Sequence, residues 1–230
     1  MGETCSIYMN NLIKRIDAKI EKCTPLNHIF YQMWLEGKLN VAHLRGYSKE
    51  YFQLVKAVPK FVENISSFII EPTMKIDVDQ NLKEESEHIE PWIKFANAMG
   101  VPRNELINYA GASKTNNAVS DLTKLTTLSV EEGAAAMYAY EIELPKISRS
   151  KVDGLKKFYG INSTDATQYF EIHGEVDIRH ASVWSNILQN TPSEKEEYVF
   201  NAASRSLNAQ NKILDSVQEE YMGSKIYTLN

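Results

Sequence analysis

No stretch of this 230-residue chain alternates apolar and polar residues for long enough to make a convincing strand. Apolar residues instead recur at three- and four-residue intervals along nearly all of it, which leaves an all-α architecture. Helices are expected near 5–22, 27–36, 41–69, 74–99, 103–110, 116–127, 130–159, 165–190 and 193–222. Stop signals separate them at "EPT" (71–73), "GVP" (100–102), "YGINST" (159–164) and "NTP" (190–192). Ser129 and Glu132 form a capping box for one start, and Thr191-Pro192-Ser193-Glu194 reads as a second, with proline at the first helical position. Pro59 and Pro145 lie inside strong helical patterns, and each is expected to kink its helix next to a cavity. With no repeat, linker or low-complexity segment, residues 1–230 read as one domain.

Charge and composition exclude several partners. A net charge of −5 without any Lys/Arg-rich run argues against a nucleic-acid surface. The longest apolar runs, "SSFII" and "GAAAMYAY", fall far short of the ~20 residues that span a bilayer. The N-terminus has no charged-then-apolar leader, and Met1-Gly2 with Ser6 fits a myristoylation pattern only loosely. Cys5 and Cys23 are too few for a disulfide framework. A cytoplasmic protein with no nucleic-acid or membrane partner is expected.

Three helical stripes break the rule that a buried face should be apolar, an unpaired buried charge being very costly. The 74–99 stripe runs Leu82, Glu85, His88, Trp92, Phe95, Met99. The 130–159 stripe runs Ala134, Met137/Tyr138, Glu141, Leu144/Pro145, and the 165–190 stripe Phe170, His173, Asp177, His180, Trp184, Ile187. Spacings of three and four put the ionisable groups on one face of each helix. Glu85, His88, Glu141, His173, Asp177 and His180 together make a natural ligand set for two divalent transition metals, with iron or manganese suited to imidazole and carboxylate. Helical bundles build dinuclear sites from inward Glu and Glu-x-x-His motifs in this way. Each part also has a plain reading, such as a solvated Glu-x-x-His or a satisfied polar core. Those readings weaken because three of only five histidines fall in the set.

The motifs "FYQMWLEGKLN", "YSKEYF", "KAVPKF", "AAAMYAYEIELPKI" and "HGEVDIRHA" resemble the heme-oxygenase-like diiron oxidases, in the wider TenA/PqqC group and within it the CADD-like branch associated with p-aminobenzoate formation. The likeness runs from about Asn27 to Leu188. It implies a helical bundle of about seven main helices around a dinuclear site, in a homodimer, with Fe/Fe, Fe/Mn or Mn/Mn, O2 and an external reductant. Family ligands fall on His88, Glu141, His173, Asp177 and His180. The remaining glutamate falls on Glu85, with Glu84 as the alternative, because the relatives place that acid about one turn further upstream. The resemblance also implies that Tyr31 supplies the aromatic ring of p-aminobenzoate for folate, that Tyr47 and Tyr140 are accessory aromatics, and that Lys151 is the amino donor. From the residues alone, a buried Tyr is usually core and a helical Lys usually solvated. Two other activities stay open: a dimetal oxidase acting on a free amino-acid-like substrate or fatty acid, and a TenA-like thiamin hydrolase. The hydrolase would need a cysteine nucleophile that neither Cys5 nor Cys23 supplies near the stripes. A non-enzymatic interaction module would leave the buried ligand set without a purpose.

Overall fold

The computed structural model describes residues 11–223, so the Met1-Gly2/Ser6 pattern, Cys5 and the expected start of the first helix lie outside the described residues. Twelve α-helices are present among the described residues, with no strand: α1 (Asn11–Cys23), α2 (Ile29–Leu35), α3 (Val41–Val55), α4 (Val58–Ser66), α5 (Pro72–Glu87), α6 (Ile89–Ala98), α7 (Arg103–Asn108), α8 (Ser113–Leu125), α9 (Val130–Glu141), α10 (Leu144–Tyr159), α11 (Thr164–Gln189) and α12 (Glu196–Tyr221). The all-α expectation holds. The number of helices exceeds both the nine expected segments and the bundle of about seven, because three long periodic stretches are each cut in two.

Each cut has one cause. Proline has no N–H to donate to the carbonyl four residues earlier, and its ring clashes with that carbonyl. α3 ends at Val55, four residues before Pro59; α5 ends at Glu87, four before Pro91; α9 ends at Glu141, four before Pro145. The kinks expected at Pro59 and Pro145 are therefore full breaks, with each proline in the first turn of the next helix. Pro91, which the sequence pattern passed over, does the same to the 74–99 stretch. Two candidate ligands, His88 and Glu141, sit at these breaks as a result.

The caps are mixed. Ser129 accepts a bond from the Glu132 N–H, as its capping box requires. Thr191 does not cap the last helix: Pro192 is extended, a 3-10 turn over Ser193–Lys195 intervenes, and the Thr191 hydroxyl finds no partner among the described residues. The two histidines outside the candidate set are caps themselves. His28 Nδ1 accepts from the Phe30 N–H, and His43 closes a capping box with Asn40.

The long helices α11 and α12 organise the core. α11 packs on α9, α10 and α6, while α12 lies across α9, α8, α3 and α1. Trp34, Trp92, Trp184, Tyr47, Phe30, Phe61, Phe95 and Phe170 are the largest fully buried side chains. α10 approaches α2 closely because Gly154 has no side chain: a Cβ there would lie 2.6 Å from Trp34 Nε1. That indole donates to the Lys151 carbonyl at 3.4 Å, which fixes the part of α10 that carries Lys151. Gly154→Ala should gain about 1 kcal/mol in helix propensity but cost about 1–3 kcal/mol in overpacking. A lowered denaturant midpoint is the expected result, and an unchanged or raised one would show that the contact has room.

Candidate metal centre

All six sequence-predicted ligands are buried, with exposures of 5% or less: Glu85, His88, Glu141, His173, Asp177 and His180. They arrive from three places. Glu85 comes from the last turn of α5 and His88 from the break after it, Glu141 ends α9, and His173, Asp177 and His180 line the inner face of α11. Ile178, on the outer face of α11, is 62% exposed, so the stripe is one-sided as its spacing requires.

Donor atoms from Glu85, His88 and His173 lie within 4.8 Å of one another, and so do those from Glu85, Asp177 and His180. Glu85 is common to both groups. The imidazoles of His88 and His173 meet edge to face with centroids 4.5 Å apart, and Glu85 Oε1 is 3.0 Å from His180 Nδ1. Asp177 reaches His173 Nδ1 at 2.8 Å. Glu141 belongs to neither group, but its Oε2 accepts the Trp184 indole N–H at 2.6 Å. Trp184, an apolar member of the 165–190 stripe, thus carries a polar contact as well.

Five buried atoms here lack a well-formed hydrogen bond among the described residues: His88 Nδ1, Glu141 Oε1, His173 Nε2, and Glu85 Oε1 and His180 Nδ1, which meet each other only as an ion pair. Such atoms are rare in folded proteins, because each lost bond costs about 1–3 kcal/mol. Converging imidazole nitrogens and carboxylate oxygens are the donor set of a transition-metal site, so the residues fit metal ions. The electrostatics agree. Burial pushes the Glu141 carboxyl well above its ordinary range, and the neighbouring Glu85 and Asp177 add to this. Burial likewise raises Asp177. Burial alone would lower His180, but Glu85, Glu141 and Glu84 outweigh it and lift its pKa to about 9. Burial is similarly outweighed at His173, which Asp177 raises. Three carboxyl groups buried together are costly to ionise here, and bound cations would remove that cost.

Glu84, the alternative to Glu85, takes a different place. Its Oε2 meets the other nitrogen of His180, Nε2, at 2.8 Å, and also Arg179. Glu85 is the acid that faces the other candidate ligands.

A second buried group adjoins the first. Lys151, only 2% exposed, donates to the Tyr47 hydroxyl, and its Nζ lies 4.9 Å from the ring centroids of both Tyr31 and Tyr47. The Tyr31 and Tyr47 hydroxyls are 3.4 Å apart. Burial lowers the Lys151 pKa well below the ordinary lysine range, favouring the uncharged amine. Burial also raises Tyr31 and Tyr47, so both phenols stay protonated. Tyr140 is buried as well, and burial, with Tyr51 and Tyr169 nearby, raises its pKa well above the ordinary tyrosine value. Tyr169 lies 4.3 Å from the His173 ring and 4.7 Å from Trp92, and Trp92 lies 5.7 Å from Tyr47, so packed rings connect the two groups. Tyr51 and Tyr169 are not marked out by the sequence, and Trp92 is marked there only as a member of the 74–99 stripe. Tyr169 precedes His173 by one turn and Tyr51 follows Tyr47 by one turn, so helical spacing held the signal.

A profile of iron-containing redox enzymes of the heme-oxygenase-like type matches residues 47–211. The chain belongs to this family. The 4-aminobenzoate synthase of Chlamydia pneumoniae is 33% identical over 79% of this chain and 83% of that protein. The 4-aminobenzoate synthase of Nitrosomonas europaea is 31% identical over 94% of this chain and 95% of that protein. Solved structures share the fold: a TenA homologue from Pseudomonas syringae has a TM-score of 0.75 at 17% identity, covering 90% of each chain. A CADD-like protein from Nostoc punctiforme has a TM-score of 0.74 at 15% identity, covering 96% and 98%. This iron-containing family and the buried Glu/His groups together support metal ions as the cofactors of this oxidoreductase.

The electrostatics give a pH dependence for the metal-free protein. His180, with a folded pKa of about 9 against an ordinary 6.5, contributes stability fully below pH 6.5 that is lost as pH rises towards 9. The raised Glu141 carboxyl acts in the same direction. The melting temperature of chelator-treated protein should fall between pH 6.5 and 9, whereas bound divalent metal should flatten the decline. A flat profile without metal would mean that the carboxylates do not raise the His180 pKa in the folded chain.

Proposed function

We propose that this chain makes p-aminobenzoate for folate by an oxygen-dependent reaction at a dinuclear metal centre, with the Tyr31 side chain as the source of the aromatic ring. The observation that carries the reading is the packing of a carboxylate–imidazole cluster against a buried group of two tyrosines and an uncharged lysine. Kinship to two proteins named 4-aminobenzoate synthase supports the product.

Glu85, His88, Glu141, His173, Asp177 and His180 would hold two ions, as Fe/Fe, Fe/Mn or Mn/Mn. When bound, the ions would activate O2, which is the oxidant of the reaction. The chain's own residues do the rest. Burial of all six ligands excludes bulk water, which would otherwise quench reactive species. Tyr169 and Trp92 fill the space between the cluster and the Tyr31/Tyr47 pair, so oxidation crosses packed rings. The Lys151 amine, in contact with the Tyr47 hydroxyl, beside the Tyr31 ring and favoured in its uncharged form by burial, suits an amino donor. Tyr47 and Tyr140 are accessory to this path. An external electron donor must reduce the metals. The same reading takes residues 1–230 as one domain of a cytoplasmic homodimer, for which sedimentation of the purified protein is the direct check of assembly.

Cys23 does not favour a thiamin hydrolase. It lines a surface hollow with Lys19, Asn201 and Asn211 and shares no neighbour there with the metal cluster. No helix among the described residues is long and apolar enough to cross a membrane.

Two outcomes test the proposal. Protein expressed with ample iron and manganese should hold close to two metals per chain, and His173→Ala should lose at least half of them. Metal content well below one per chain in the unaltered protein would end the dinuclear reading. Protein containing ring-labelled tyrosine should release labelled p-aminobenzoate and rescue a p-aminobenzoate auxotroph, with Tyr31→Phe silent in both assays. Normal product from Tyr31→Phe would remove Tyr31 as the source. Failure to rescue, with metals present, would favour an oxidase of a free small molecule.

A further inference from the structure

We propose that Glu84 is a positioning residue for the metal centre: its carboxylate, clamped by Arg179 and Gln80, fixes the ring of His180 so that Nδ1 is free to bind a cation. The inference rests on the dinuclear reading and goes beyond the six ligands.

The geometry separates the two nitrogens of His180. Nδ1 faces the cluster, where it meets Glu85 Oε1 at 3.0 Å as an ion pair without a well-formed hydrogen bond. Nε2 meets Glu84 Oε2 at 2.8 Å. Both nitrogens of His180 thus face carboxylates, and a cation bound at Nδ1 would leave the one remaining ring proton on Nε2, where Glu84 accepts it. A neutral imidazole carries one such proton, and the lone pair then belongs to Nδ1, on the side of the cluster.

Glu84 is itself held. Arg179 donates to Oε2, and Gln80 Nε2 donates to Oε1 at 2.6 Å. Both oxygens are therefore engaged away from the other candidate ligands, which distinguishes Glu84 from Glu85. The second arm of Arg179 donates to Asn81 Oδ1 at 3.0 Å, so one guanidinium joins α11 to two successive turns of α5. The Glu84 side chain is 22% exposed, and its removal should leave the core intact. Residues that orient metal-binding histidines typically contribute about 10–100-fold to metal affinity.

The test is Co(II) binding by the unaltered protein, Glu84→Ala and Glu84→Gln, by competition against a chromophoric chelator. It is read with the Co(II) absorption bands and the melting temperature of each metal-free protein. Glu84→Ala should bind Co(II) about 10–100-fold more weakly with shifted bands. Glu84→Gln keeps an oxygen that accepts from Nε2–H and should remain within a few-fold of the unaltered protein. Glu84→Ala matching the unaltered protein in affinity and bands would overturn the inference, including where only its melting temperature falls. It is equally overturned if Ala and Gln each lose one full Co(II) equivalent, because Glu84 would then be a ligand. If the unaltered protein binds no Co(II), the metal reading itself fails, and this inference with it.

Discussion

The structure depends on how it accommodates charge inside an apolar core. Six ionisable side chains meet there, each buried, and five of them hold an atom without a well-formed hydrogen bond among the described residues. Isolated charges cost several kcal/mol each in such surroundings and are retained only when something compensates them. Part of the compensation is internal, as between His173 and Asp177 or between Trp184 and Glu141. The rest has to come from cations. Hence the cluster, its pKa shifts and its surrounding wall of tryptophan and tyrosine rings have one explanation: a cation-binding centre sealed from water.

Backbone chemistry brings the cluster together. Three prolines end the helices four residues before them, and two of those ends carry a candidate ligand: Glu141 as the last residue of α9 and His88 immediately after α5. An uninterrupted helix would hold His88 and Trp92 on a single straight line. At the Pro91 break His88 packs edge to face on His173, while Trp92, one turn on, packs on Tyr169. The small residue Gly154 does a related service on the other side, bringing Lys151 close to the tyrosines.

Much of this was legible in the sequence because spacing carries it. The His173/Asp177/His180 line and the Glu85/His88 step follow from helical geometry and survive folding unchanged. Lys151 and the three tyrosines were legible only through resemblance, since nothing local marks one tyrosine among twelve. What stayed hidden depends on contacts between distant segments. Arg179 meeting Glu84 joins residues 95 positions apart, and Trp184 meeting Glu141 joins residues 43 apart. Neither leaves a pattern in one chain. Pro91 and the failed Thr191 cap are different: both were visible, but a strong apolar period hid the first and a matching motif flattered the second.

Tyr31 occupies a demanding place for a residue proposed to be used up. Its ring is 3% exposed and packs edge-on against Phe30 at 5.7 Å while its hydroxyl meets that of Tyr47. Removing a buried aromatic side chain leaves a cavity and typically costs about 3–5 kcal/mol, a large share of what holds a domain folded. On the proposed reading the product leaves and the chain that made it is structurally weakened. A reacted molecule would thus differ from a fresh one in lifetime as well as in chemistry, unfolding more readily and exposing itself to proteases. Disposal of the spent protein would be written into the packing around its own reagent.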